Sequence, residues 1–423
     1  PNVVQQITSH VWTAVVNFAQ LGKALNKLPA QVSVFYNHST DFQPAGARVD
    51  LYGEQLAPPK GITKDMGILL ETKDGKYSLK INKYENSSTA ASSTALAGAW
   101  FIGSSQAWAG NWVNRFEFNW TNDTNASAVA VNDPTNSEYN YGPAPGESLA
   151  QAQTREANAI AAYRTWQKSV DPRFYKAWGI NLNDPTHSIT ATTPNGFTVT
   201  EDSTSKGYEI ELSAVPVKNW RLTVNASKTK AVRTNIGGAA IQGFISAYEK
   251  ALKTTAAGDV RIWWGGAGNE TSLMDWNSNI GSEFAQRKLQ EGTNVPELRQ
   301  WRFNAISNYD FDHGWLKGFN AGVGLRYESS IVIGYAPLPG ATVNDISFDI
   351  ANPYKGPADT NFDFWVGYSH RVWRNIDWNI QLNVRNAFVG NELVPITTEP
   401  DGSPAAYRIR PPQVWQLTNT FKF

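Results

Sequence analysis

The chain contains no cysteine, which removes disulfides, thiolate metal sites and cysteine nucleophiles together. Neither charge is in excess: 37 basic side chains face 37 acidic ones, and the formal net charge is zero. The basic surface that would hold a nucleic-acid backbone is missing, so no nucleic-acid partner is expected. No apolar run reaches the roughly 18 residues of a membrane-spanning helix. Strands are untouched by that absence, because each crosses a bilayer in ~9–11 residues with apolar side chains at alternate positions.

Histidine is also scarce. The five residues His10, His38, His187, His313 and His370 include no pair at the helical spacing of a zinc motif. There is no G-x-S-x-G nucleophile elbow. An enzyme is therefore not expected, nor a resident metal or cofactor. The sequence opens on Pro1 with neither an initiator Met nor a leader, so we expect the later portion of a longer, exported chain.

What is plentiful is aromatic. Trp, Tyr and Phe make up 12% of the chain and Trp alone occurs 17 times, among many Asn, Thr, Ser and Gly. Strands with aromatic belts and polar loops have this composition. The clearest strand is 376–388, where Ile376, Trp378, Ile380, Leu382 and Val384 alternate with Asp377, Asn379, Gln381, Asn383 and Arg385. Strict period-two alternation predicts one apolar and one polar face. Segments 207–214, 220–227, 318–328 and 361–370 repeat it. Weaker versions lie near 8–19, 31–38, 63–72, 77–87 and 300–312, and 411–423 completes eleven strands.

Connections alternate short and long. The long ones run about 39–61, 88–203, 232–299, 330–359 and 389–410. Putting every long loop at one end is the habit of an outer-membrane barrel, with short periplasmic turns and long extracellular loops. The expected fold is all-β: an antiparallel transmembrane β-barrel, with 1–423 forming the C-terminal portion of one barrel domain. Eleven strands is about half of the ~22 in the large plugged transporters. Within the loops, 147–170, 239–252 and 282–290 have helical composition. The glycine-rich 235–238 and 265–270 read as loop turns. The Asp/Asn-rich 119–139 lacks EF-hand spacing and reads as a solvated loop.

The end of the chain, YRIRPPQVWQLTNTFKF, places Trp415, Leu417, Phe421 and the terminal Phe423 on one face. It resembles the assembly signal that β-barrel proteins present to the barrel assembly machinery, with Asn419 interrupting the apolar face. The stretches PPKGITKDMGI (58–68), SKGYEIELSAVPVKNWRLTVNASKTKA (205–231), LNVRNAF (382–388) and RPPQVWQLTNTFKF (410–423) resemble TonB-dependent outer-membrane receptors, in the later barrel strands only. The plug domain and coupling box of that family are absent from this sequence. The resemblance implies a Gram-negative outer-membrane location and energised import of a scarce nutrient: a siderophore, cobalamin or an oligosaccharide. The implied partners are outer-membrane lipid, the TonB complex acting through the missing part, and the ligand. A passive porin-like or adhesin barrel, or a soluble carbohydrate-binding β protein, is the alternative.

Candidate residues follow from their positions. Trp263 and Trp264, beside Arg261 and Asn269, together with Tyr335 and Tyr354 in the next loop, offer aromatic faces to a ligand. Arg326, Arg385 and Asp363 sit on polar strand faces, where a barrel lumen tolerates charge. Trp220, Tyr327, Phe364, Trp378, Trp415 and Phe423 suit a lipid-facing band or its interfacial girdles.

Overall fold

The computed structural model describes residues 8–22, 29–117, 145–184, 189–263, 267–296, 298–341, 347–373 and 376–423. Strands are numbered along the chain, and the short β7 (Arg261–Trp263), β8 (Ala267–Thr271), β11 (Val332–Gly334), β12 (Tyr354–Lys355), β15 (Leu393–Thr398) and β16 (Pro404–Ile409) pair as hairpins within long connections. The other eleven form one sheet in chain order: β1 (His10–Asn17), β2 (Ala30–Phe42), β3 (Lys60–Thr72), β4 (Tyr77–Ser92), β5 (Thr200–Ala214), β6 (Trp220–Thr234), β9 (Trp301–Asp310), β10 (Phe319–Glu328), β13 (Asp359–Trp373), β14 (Ile376–Ala387) and β17 (Val414–Lys422). Each neighbour pair is antiparallel. The eleven expected strands are all present. Several run further than their alternation, so the second long connection narrows from 88–203 to 93–199.

The sheet is staggered. A row of facing partners starts at Tyr77, the first residue after a short turn. It passes through Ala214, Leu222, Ser307, Val323, Phe364 and Val384 to Trp415, next to a long connection. A row that slides from one end of the sheet to the other is the register of tilted strands, the geometry that barrel closure requires. Turns are local chemistry. Between β3 and β4, Asp74 accepts hydrogen bonds from Thr72 Oγ1 (2.7 Å) and the Lys76 N–H (3.1 Å), and Gly75 takes φ +67°. Asx side chains and glycine stabilise such bends.

Three long connections build a second core at one end. Its helices are α1 (Phe101–Glu117), α2 (Leu149–Ser169), α3 (Pro172–Ala177), α4 (Gly238–Thr254), α5 (Ser272–Trp276) and α6 (Ser282–Gln290). Helix α2 starts at a capping box between Ser148 and Gln151. Ile102, Trp112, Tyr163, Phe174, Trp178, Ile245, Tyr248 and Trp276 are all buried in one cluster with Leu51, which comes from the first long connection. Two buried indoles have their N–H groups satisfied: Trp178 Nε1 donates to Leu51 O at 3.0 Å, and Trp166 Nε1 to Gln106 Oε1 at 2.8 Å. Because Trp178 joins two connections and is fully buried, Trp178→Ala should cost about 3–5 kcal/mol. We expect rapid proteolysis within 93–199 while the far-ultraviolet β signal survives; equal protease resistance in both proteins would refute this packing role.

Candidate functional site

Tracing side chains through the register assigns each to one of two sheet faces. One face carries, strand by strand, Ala14 and Val16; Val34 and Tyr36; Ile68 and Leu70; Leu79 and Ile81; Ile210 and Leu212; Leu222 and Val224; Phe303 and Ala305; Val323 and Leu325; Phe364 and Val366; Ile380 and Leu382; Trp415 and Leu417. Every one of the eleven strands contributes. These side chains are not packed away: Ile68, Ile81, Ile210, Val366 and Leu417 are all strongly exposed. A continuous apolar belt this wide exceeds the few hundred Å² that water-soluble monomers tolerate.

Aromatic rings bound the belt. Tyr77, Trp220, Tyr309, Phe319, Tyr368, Trp378 and Phe421 lie towards the short turns; Trp12, Tyr208, Trp301, Tyr327 and Phe362 lie towards the long connections. Two of these indoles cover polar interruptions. Trp378 Nε1 donates to Asn419 Oδ1 at 3.1 Å, and Trp220 Nε1 donates to Ser307 Oγ at 2.9 Å. A polar group in an apolar band is costly unless bonded, and each tryptophan supplies that bond.

The opposite face is polar and carries glycine where large side chains cross. Trp365 lies over Gly322, where a Cβ would meet its ring at 2.1 Å, and Trp365 Nε1 donates to Asn308 Oδ1 at 2.8 Å. On this face Arg326 Nη2 stands 3.1 Å from Asp363 Oδ2 and 3.1 Å from Asn386 Oδ1. Asp363 also accepts the Asn386 N–H at 2.9 Å. Asn386 has φ +49°, and the β13–β14 register shifts beside it. Asparagine tolerates the left-handed region, so the carboxylate fixes a bulge that the backbone alone would leave with an unpaired donor.

Nearer the long connections the ion pairs multiply. Glu328 meets Arg299 at 3.5 Å and Arg302 at 3.4 Å. Asp359 meets Arg408 at 3.0 Å and Arg410 at 2.8 Å, and Arg410 also reaches Glu392 at 3.0 Å. These pairs lash the β15–β16 hairpin to the start of β13. Sequence reasoning missed them, although Arg408 and Arg410 alternate with Tyr407 and Ile409 in strand fashion. At the long-connection end of β4–β6 lies a cavity of about 600 Å³. Its lining is mixed: Ser88, Ser203, Ser205 and Asn86 and the Arg233–Glu201 ion pair at 3.4 Å stand among Ala231, Val232, Val295 and Leu298.

The remaining candidates separate. Arg385 is exposed on the polar face and has no ion pair among the described residues. Tyr354 is a strut: its hydroxyl donates to Pro400 O at 3.2 Å and its ring packs on Gly402, tying two long connections together. Tyr335 is half-buried directly after β11. Trp264 and the side chains of Trp263 and Asn269 lie outside the described residues, as do 119–139 and His187. Arg261, expected beside them in a ligand-facing loop, is instead buried with its guanidinium 4.6 Å over the Trp112 ring. The assembly-signal residues Trp415, Leu417 and Phe421 share the apolar face of β17, with Phe423 just beyond it and 93% exposed.

One carboxylate in the helical core is out of its ordinary range. Burial, and then the charge of Glu270, push Asp275 up to about 7, and Asp275 Oδ2 is buried without a hydrogen-bond partner. Since its folded value is raised, the core is most stable below the unfolded value near 4. That stability is lost as pH rises through about 7. Asp275→Asn should therefore raise the core's melting temperature at pH 8, by an equivalent of about 2–4 kcal/mol, and change little at pH 4. An equal shift at both pH values would contradict the assignment. Asp363→Ala, which leaves the Asn386 N–H unpaired, should cost about 1–3 kcal/mol in urea unfolding, against under ~1 kcal/mol for the half-exposed Arg326→Ala; the reverse order would show that the carboxylate does not hold the bulge.

No protein-family model and no curated protein matches the chain. Solved structures similar to it include the ferripyoverdine receptor of the outer membrane of Pseudomonas aeruginosa, with a TM-score of 0.43 and 11% identity over 93% of this chain and 32% of that one. The ferric-catecholate import receptor Fiu from K12 E. coli gives 0.41 and 14% identity over 97% and 34%. The ferric yersiniabactin uptake receptor FyuA from Yersinia pestis gives 0.40 and 10% over 93% and 36%. The chain spans about a third of the length of these proteins.

Proposed function

We propose that this chain is the later half of the wall of an outer-membrane β-barrel that imports a scarce nutrient with energy from the TonB complex. The observation that carries the membrane part is the exposed apolar belt, unbroken across eleven strands and bounded by aromatic rings on both sides. A soluble two-layer protein would cover such a face with a second sheet or helices, and the helices here pack on one another at one end of the sheet. In this reading the polar face looks into the lumen, and the edge strands β1 and β17 meet further strands that close the barrel.

Import rather than passive diffusion is supported by the loop end and by the sequence resemblance. Three long connections there fold into one body with its own core, and a fourth and fifth are tied together by Tyr354. A porin needs no such folded structure above its pore. Ligand capture is assigned to this end, with the hydroxyl groups and Arg233 of the cavity as its polar contacts. A siderophore, cobalamin or an oligosaccharide all suit hydroxyl and guanidinium groups.

A matched pair of substitutions tests the face assignment. Val224→Arg on the belt should cost about 2–4 kcal/mol in a bilayer and strongly reduce heat-stable outer-membrane protein. Asn225→Arg, one residue along, should be tolerated. Equal tolerance of both would sink the membrane reading. Transport is tested in cells expressing the whole protein, offered labelled ferric siderophores, cobalamin and maltodextrins. One class should accumulate, and a protonophore should abolish its uptake. Uptake indifferent to the protonophore would favour the passive porin.

A further inference from the structure

The belt face changes character at one place. Where β3–β6 rise from the belt towards the long connections, the row Lys83, Tyr208, Lys228 and Trp301 runs across four strands through direct partners. The next row on the same face is Lys64, Glu85, Lys206 and Lys230. All five lysines are exposed. Lys64 approaches Glu85 at 4.0 Å, and among the described residues Lys83, Lys206, Lys228 and Lys230 have no ion pair. Lys83 Nζ lies 6.0 Å from the Tyr208 ring centre and Lys228 Nζ 4.8 Å from that of Trp301. A hollow of about 310 Å³ opens here, lined by Lys83, Tyr208, Lys228, Glu85, Lys206 and Lys230 among others of these strands.

Unpaired cations are common on a protein rim, but these stand on the apolar face, Lys83 and Lys228 level with its aromatic boundary and Lys206 and Lys230 immediately beyond it. Lysine stems lie along apolar surface and lift their ammonium groups to the interface. Like charges this close repel, and an anion between them would relieve the repulsion. An anion presented at this height with hydrocarbon beneath it has the chemistry of a lipid headgroup. From the membrane reading above, on which the inference rests, we infer that this hollow binds the phosphate of an anionic lipid in the leaflet at the long-loop end. Its acyl chains would lie down the belt over Ile81, Ile210 and Val224.

The test uses the whole protein, as in the transport assay above, reconstituted in phosphatidylcholine nanodiscs containing a minor fraction of diphosphorylated lipid A, with lipid retained after detergent extraction measured by mass spectrometry. The wild-type protein should retain lipid A enriched about tenfold over the bulk. Lys83→Gln/Lys206→Gln/Lys228→Gln/Lys230→Gln should return it to the bulk ratio. Lys76→Gln/Lys218→Gln/Lys317→Gln, which removes lysines in the short turns, should leave it unchanged. Enrichment that survives the first variant, or falls equally in the second, overturns the site. Displacement by equimolar inorganic phosphate would make it a free-anion site and overturns the lipid assignment. If both whole proteins, wild-type and variant, insert, seen as tryptophan quenching by brominated phosphatidylcholine, yet neither enriches lipid A, this inference alone fails. If neither is quenched, the membrane reading fails with it.

Discussion

In hydrocarbon an unpaired backbone amide has nothing to bond to, so a sheet that meets lipid has to pair its strands along their length. The interstrand ladder is thus the constraint from which the remaining features follow. It fixes a register, and a register with period two fixes which side chains share a face. Sliding a single strand by one residue would carry Arg221, Thr223 and Asn225 into the belt and Leu222 and Val224 out of it. The consistency of eleven strands is therefore a collective property: each strand's alternation agrees with that of both neighbours. The two exceptions, Ser307 and Asn419, are each met by an indole N–H, so the belt holds no open polar group at those points.

The same ladder determines where mass can accumulate. With tight turns at one end, all insertion falls at the other, where three successive connections lie close enough to share a hydrophobic core. Leu51 under Trp178 illustrates the consequence, because a residue of one connection is buried by a residue more than a hundred positions later. The loop end becomes a folded body rather than a set of independent loops. A folded body of this kind loses less conformational entropy on meeting a ligand than mobile loops would.

The sheet was legible in the sequence wherever one face was apolar. Strand ends were not: Ser87–Ser92, Thr200–Ser205 and Thr229–Thr234 rise above the belt and are polar on both sides, so nothing alternates although the ladder continues. Helix α2 was legible from its alanine-rich composition; its Ser148 capping box appeared only in the structure. Helix α1 was not, being buried nearly all round and carrying Gly103 and Gly110, which composition counts against a helix. Their reason is tertiary. A Cβ on Gly103 would meet the Trp178 ring at 2.2 Å, and one on Gly110 would press Ile189 at 3.2 Å. The short hairpins escaped notice because two- to six-residue strands leave too little pattern. The Asp359 ion pairs join residues about fifty positions apart and exist only once the hairpin has folded back.

Aromatic side chains are abundant because the wall uses them in physically different ways. On the apolar face their rings bound the belt on both sides, and the indole N–H groups of Trp220 and Trp378 bond its polar interruptions. On the polar face a ring lies flat across a glycine, as Trp365 does over Gly322. It fills the space that a missing side chain leaves and shields the backbone without adding bulk. Glycine there is not a weak point in the strand but half of a pair, and a larger residue at 322 would displace the ring and its bond to Asn308. In the helical core the rings stack on one another, Phe174 on Phe244 at 4.6 Å, and carry the burial that polar loop sequence otherwise lacks. A composition that looks uniform in a count is thus divided by register and burial into interface, spacer and core.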